Sequence, residues 1–264
     1  MAIIPGTGFG VVATNCLARY VSDAADAQHL EVATRAATAQ PGPGGAASMR
    51  ENLPYGGWIR QAGHLRPHPL GSGATTITFP DGPCRIRPVP TGDLEAAFQA
   101  TGAADIIAYS AELDPAANPR VSDTGAAGPQ TYRSFGWARA TGPDGATTQA
   151  WLQTGEAYAF TAAASIRAVE ETLTRSLRGA FSPAAAFCAD FALTIPDTTR
   201  TDTITAETAA GRRKDQEADM PDRQFLARTR YRAPAQISSQ LSASIQHQLA
   251  RTTGRLVPAG EADG

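Results

Sequence analysis

Apolar and polar residues alternate in several short runs separated by turn residues, a period-two pattern that predicts strands. Thr75–Phe79 and Cys84–Pro88 flank Pro80-Asp81-Gly82, and Phe135–Arg139 and Thr147–Leu152 flank Pro143-Asp144-Gly145. In each turn proline presets φ and glycine accepts a positive φ, so the chain folds back between antiparallel strands. Further strands are predicted at His29–Thr34, Gly57–Gln61, Ile106–Ser110 and Phe191–Ile195. Helical spacing is found in Val12–Tyr20, Ala46–Asn52, Asp93–Thr101 and Ala157–Arg178. In the last, Ile166, Val169, Leu173 and Leu177 recur three or four residues apart, apart from Arg167, Glu170, Glu171 and Arg175. Gly179 reads as its stop. Antiparallel hairpins with one long one-sided helix predict an α+β fold, a mostly antiparallel or mixed sheet with helices on one face.

Composition divides this pattern in two. The chain has 264 residues and 42% hydrophobic residues, enough for a sizeable core. After Pro196 only Phe225 and Tyr231 are aromatic, so burial there cannot offset ordering entropy. Residues 1–196 therefore read as the domain and 197–264 as a poorly ordered, charged tail. Within the tail, Ile237, Leu241, Ile245 and Leu249 give 236–251 near-helical spacing, as a transient or docked amphipathic helix or as one that binds a partner.

Charge and cysteine content exclude several classes. A net charge of -2 argues against a nucleic-acid partner. The longest uncharged apolar stretch, Ala157–Ile166, is far shorter than the ~20 residues of a membrane span, and the start lacks a basic leader. Cys16, Cys84 and Cys188 form no CxxC pair and fit a reducing cytoplasm. His64 and His68 flank Arg66 in a Pro-rich stretch that reads as a solvated loop, and no spacing of cysteine or histidine marks a metal site.

Two corners carry candidate chemistry, although no catalytic residue can be assigned. Pro5-Gly6-Thr7-Gly8-Phe9-Gly10 resembles the start of a dinucleotide loop, but Val11 stands where the third glycine belongs, so a tight strand-to-helix turn is the better reading. At Pro90-Thr91-Gly92-Asp93-Leu94, Thr91 and Asp93 read as helix-capping residues. The alternative turns Gly92 and Asp93 toward a ligand cleft, to which Arg50, Arg60 and Tyr109 add polar contacts.

Several stretches in order resemble the substrate-side part of saccharopine dehydrogenase-like reductases, in particular their trans-acting enoyl reductase branch. These are Pro5–Ala18, Pro90–Gly102, Ile106–Tyr109, Gly155–Thr161 and Gly179–Ala186, covering roughly 2–196. The resemblance implies NADP as cofactor, a lipid-like or other unsaturated small-molecule substrate, a homodimer, and a Rossmann domain preceding this part. That domain would be missing from a truncated product or supplied by a separate polypeptide in a split enzyme. It also implies that Gly8, Phe9, Thr14 and Asn15 lie near the cofactor. The family's Gly-Phe-Asp stands here as Gly8-Phe9-Gly10 and its Pro-Ser/Thr-Asp as Ala13-Thr14-Asn15, which removes two carboxylates. A non-catalytic ligand-binding or dimerisation module is the alternative.

Overall fold

The computed structural model describes residues 1–37, 43–52, 57–70, 72–89, 91–112 and 132–203. All belong to one compact unit, Met1–Arg213; the other unit, Lys214–Gly264, lies outside the described residues. The fold is α+β. Its elements are β1 (Ala2–Ile3), α1 (Phe9–Ala25), β2 (His29–Arg35), α2 (Pro43–Asn52), β3 (Gly57–Gln61), β4 (His64–His68), β5 (Thr75–Phe79), β6 (Gly82–Pro88) and α3 (Asp93–Thr101). After α3 come β7 (Asp105–Ala111), β8 (Ser134–Thr141), β9 (Thr147–Thr154), α4 (Ala157–Thr174), β10 (Gly179–Ala180), α5 (Pro183–Phe187) and β11 (Thr199–Asp202). Among the described residues nine strands form one mixed sheet in the order β11-β9-β8-β2-β7-β3-β4, with the β5–β6 hairpin joined to it through β6 and β7. Within it β2 and β7 run parallel, and the other pairings are antiparallel. A separate parallel pair, β1 with β10, stands outside this sheet.

Strand alternation sorts the side chains onto two faces. On β8, Gly136, Ala138 and Ala140 alternate with Phe135, Trp137 and Arg139. The small set faces α1. A Cβ on Gly136 would lie 3.1 Å from Ala13 Cβ, so glycine is what lets the helix come this close. Here α1 buries Phe9, Val12, Ala13, Cys16, Leu17 and Val21 in an alanine-rich core shared with α3, α4 and α5. The opposite face carries Phe79, Ile86, Tyr109, Phe135 and Trp137 under the β5–β6 hairpin. Arg35 binds that hairpin to the sheet: its guanidinium lies 4.8 Å from the Phe79 ring and 4.5 Å from the Phe135 ring, and it pairs with Asp81.

Both hairpin turns form as the turn chemistry predicts, with Gly82 at φ 134° and Gly145 at φ 80°. Five expectations change. His64 and His68 lie on strand β4, not in a loop; β4 ends the sheet, where Pro67 removes no ladder donor that a further strand needs. Phe191–Thr194 is a 3-10 turn, because Phe191 packs on Phe187 at 4.6 Å instead of extending. The sheet also continues past the composition shift at Pro196, since Thr199–Asp202 pairs with β9. The expected tail and the segment 236–251 otherwise lie outside the described residues.

The remaining two changes concern α4. The helix ends at Thr174, before Gly179, which at φ 118° starts β10. Its apolar stripe points away from the core: Ile166 is 63% exposed, Val169 59% and Leu173 81%. The helix buries Ala157, Phe160, Ala164 and Ala168 instead. Small side chains permit close helix approach, and Phe160 meets Phe9 edge to face at 5.7 Å.

Cys188 sits at φ 125° and ψ 174°, a region that only glycine adopts without strain. Cys188→Gly is expected to stabilise the fold by about 1 kcal/mol, the strain relieved exceeding the added chain entropy of glycine. A urea titration checks this; a lower midpoint for the variant contradicts the strain argument.

Candidate functional site

The loop after β1 leads into α1 through Gly6, at φ 75°, and Gly8, the residue before the helix. α3 starts at Asp93 after Gly92, and α4 starts at Ala157 after Glu156. The three starts converge on one open pocket of about 400 Å³. Phe9, Val11, Ala157 and the Tyr158 ring supply its apolar walls, and Thr91, Asp93 and Thr161 its polar ones. The Phe9 amide donates to Thr161 Oγ1 at 3.0 Å, tying the start of α1 to the first turns of α4. A helix start carries partial positive charge. At α4 the Glu156 carboxylate takes the Ala159 amide at 2.7 Å, and α3 has Asp93 and Glu95 in its first turn, whereas α1 has no acidic residue in its first turn.

Gly8, Phe9, Gly92 and Asp93 all line this pocket. The capping reading at Asp93 changes. Gly92 is the residue before the helix and makes no side-chain cap; Asp93 is the first helical residue, and its Oδ1 accepts from the Thr14 hydroxyl at 2.6 Å. Thr14 is fully buried, with its Oγ1 also 3.0 Å from Gly10 O, so it positions Asp93 from behind. A residue at position 10 with a Cβ would come within 3.8 Å of the same Asp93 oxygen. Asn15 does not reach the pocket. Its Nδ2 donates to Ala96 O at 2.7 Å and its Oδ1 accepts from Ala184 N at 2.7 Å, which fastens α1 to α3 and α5.

Arg60, Tyr109 and Arg50 are not brought to the pocket. Arg60 lies over the Phe98 ring at 3.6 Å, donates to Gly63 O at 2.7 Å and pairs with Glu95 at 2.6 Å. Tyr109 belongs to the opposite sheet face and donates to Glu31 at 3.4 Å; burial first, and then Glu31, push its phenol up to about 12. Arg50 is exposed at the end of α2. Sequence reasoning singled out none of Val11, Ala36, Ala157, Tyr158 and Thr161, although the stretch Gly155–Thr161 contains three of them. The available signal was the coincidence of glycine-flanked and small-residue helix starts.

The domain is α+β, and the starts of three of its helices line one open pocket. No protein-family model matches the chain, and a search of the curated proteins finds no match. Asp93 is the one charged side chain lining the pocket, and no lysine or arginine faces it among the described residues. The phosphates of a whole NADP would find no cationic partner there, so these residues do not fit the complete cofactor. Among the described residues no three His, Cys, Asp or Glu side chains cluster as metal ligands, and no helix is long and apolar enough to cross a membrane.

Proposed function

We propose that this chain is the substrate-binding part of an NADP-dependent reductase acting on an enoyl or other unsaturated, lipid-like small molecule in the cytoplasm. A separate Rossmann-type part holds the nucleotide. The observation that carries this reading is the meeting of Gly8, Phe9, Gly92 and Asp93, drawn from two distant motifs, at one pocket. The apolar walls suit an acyl chain. The start of α1 presents its backbone to the same pocket beside the Asp93 carboxylate, so polar atoms of the substrate that donate hydrogen bonds are favoured there. Thr14 keeps the Asp93 carboxyl at the rim of α3, where it orients polar atoms of the substrate.

Two measurements test the reading. By calorimetry the chain alone is expected to bind NADPH no more tightly than about 0.1 mM, the affinity left when phosphate partners are missing; nanomolar binding would overturn it. Mixed with an NADP-binding Rossmann polypeptide, the chain is expected to support NADPH oxidation with an enoyl thioester. Inactivity across such mixtures favours the non-catalytic module.

A further inference from the structure

Asp93 is a buried charge without a counter-charge. The residue is 6% exposed and lines the pocket. Among the described residues its carboxylate has no ion pair, and its one side-chain bond is the Thr14 hydroxyl on Oδ1, which leaves Oδ2 open. Neighbouring carboxylates have partners. Glu95 pairs with Arg60 at 2.6 Å, Asp197 beside Gly155 pairs with Arg133 at 2.5 Å, and Glu156 accepts the Ala159 amide at 2.7 Å. A carboxylate taken out of water is costly unless a cation or enough donors meet it.

The three helix starts soften that cost without removing it. Each carries about half a positive charge. Arg60 neutralises Glu95, so Asp93 and Glu156 are the full negative charges that stand against them. No lysine or arginine lines the pocket among the described residues, and the balance is about half a charge negative. Phe9, Val11 and the Tyr158 ring make the rest of the wall apolar. At such a partly screened site unlike charges attract about fourfold more strongly than in water.

We infer that the pocket takes its small molecule as a cation: a protonated primary amine on an apolar chain, with the ammonium donating to Asp93 Oδ2 and the chain lying along Phe9, Val11 and Tyr158. Asp93 then sets specificity, held by Thr14 through one oxygen and offering the other. An ammonium has three donors and no acceptor, the complement of a carboxylate with an open oxygen. A carboxylate on the same molecule would meet no cation, so amino acids and free fatty acids are disfavoured and a simple alkylamine is favoured. That the bound amine is also the molecule reduced rests on the function proposed above; its charge does not.

Hexylamine, 1-hexanol and hexanoate share one chain and differ in the charge of the head group. Their binding to the full chain at neutral pH is measured by calorimetry, and the place of binding by amide NMR shifts. Hexylamine is expected to bind at least about tenfold more tightly than hexanol, with hexanoate weakest. That preference is expected to shrink as salt rises from about 0.05 M to about 0.5 M. Shifted signals are expected at Gly8, Gly92 and Thr161, on the pocket wall. Asp93→Asn keeps the side-chain volume and an acceptor for Thr14, and is expected to bring hexylamine down to the level of hexanol.

The three probes are compared on the unsubstituted chain, so the outcome is decided even where Asp93→Asn fails to fold. Equal binding of the three, tighter binding of hexanoate, or no binding of hexylamine up to about 10 mM overturns the inference. So does a preference for the amine that Asp93→Asn retains, or shifts confined to residues away from the pocket. NADPH oxidation in mixtures with a Rossmann polypeptide is read separately. Amine binding without oxidation leaves the cation site standing and removes the reductase reading; oxidation with an uncharged enoyl compound and no binding of hexylamine does the reverse.

Discussion

Raising the pH from 9 to 11 is expected to destabilise the folded chain by roughly 4 kcal/mol, most of it through two buried groups that resist losing their protons. Cys16 is 1% exposed, and burial pushes its thiol up from 9.0 to about 12. Tyr109 rises from 10.0 to about 12, through burial first and the nearby Glu31 carboxylate second. Burial raises Cys84 as well, with Arg35 acting against it. In each case the folded value lies above the unfolded one. Stability from these groups is therefore complete below about pH 9 and drains away toward pH 12, at about 1.4 kcal/mol per group for each pH unit inside its window. Urea midpoints at pH 8, 9.5 and 11 give the slope. Cys16→Ala is expected to flatten it from pH 9 upward and Tyr109→Phe from pH 10 upward. Equal slopes in all three proteins would refute the assignment.

Asn15→Ala is expected to lower stability by about 2 kcal/mol. The amide is fully buried; its loss leaves the Ala184 amide, a first-turn donor of α5, without a partner and removes a second bond to the Ala96 carbonyl, whose helical partner remains, at roughly 1–3 kcal/mol together. Asn15→Asp discriminates further. It keeps an acceptor for Ala184 N but sets a second oxygen against Ala96 O, so at pH 7 it too is expected to be destabilised, by about 2 kcal/mol. Denaturant unfolding of both variants checks this, and an Asp variant within about 0.5 kcal/mol of the parent chain counts against the bridging role. The neutral amide thus joins three helices as donor and acceptor at once.

The hairpins were legible because their turns need particular residues, and α3 because Gly92 and Gly102 bracket it. Short β10 and β11 were not, since Gly179–Ala180 and Thr199–Asp202 contain no apolar alternation and are ordered by pairing with distant strands. The stripe on α4 shows the limit of periodicity. It reports that a helix has an apolar face and is silent on which neighbour covers it; here alanines on the other side packed more closely and took the core. At the pocket, Gly8, Phe9, Gly92 and Asp93 come together from two distant motifs, whereas Arg60 and Tyr109 stand away from it with their polar ends taken up by Glu95 and Glu31, pairings that no sequence spacing announces.

The alanine-rich layer between the helices and the sheet sets the direction in which this domain can change. Among the described residues, 15 of the 29 buried in that core are alanine. Alanine has no rotamer to freeze and almost nothing to remove, so the losses familiar from large-to-small substitutions hardly arise at those fifteen positions. Nearly every replacement instead adds volume where backbones already approach closely, as at Gly136 against Ala13, and overfilling forces the layers apart. Replacement where helix meets sheet is therefore limited by overfilling, and on the aromatic face beneath the hairpin by the cavities that truncation would open.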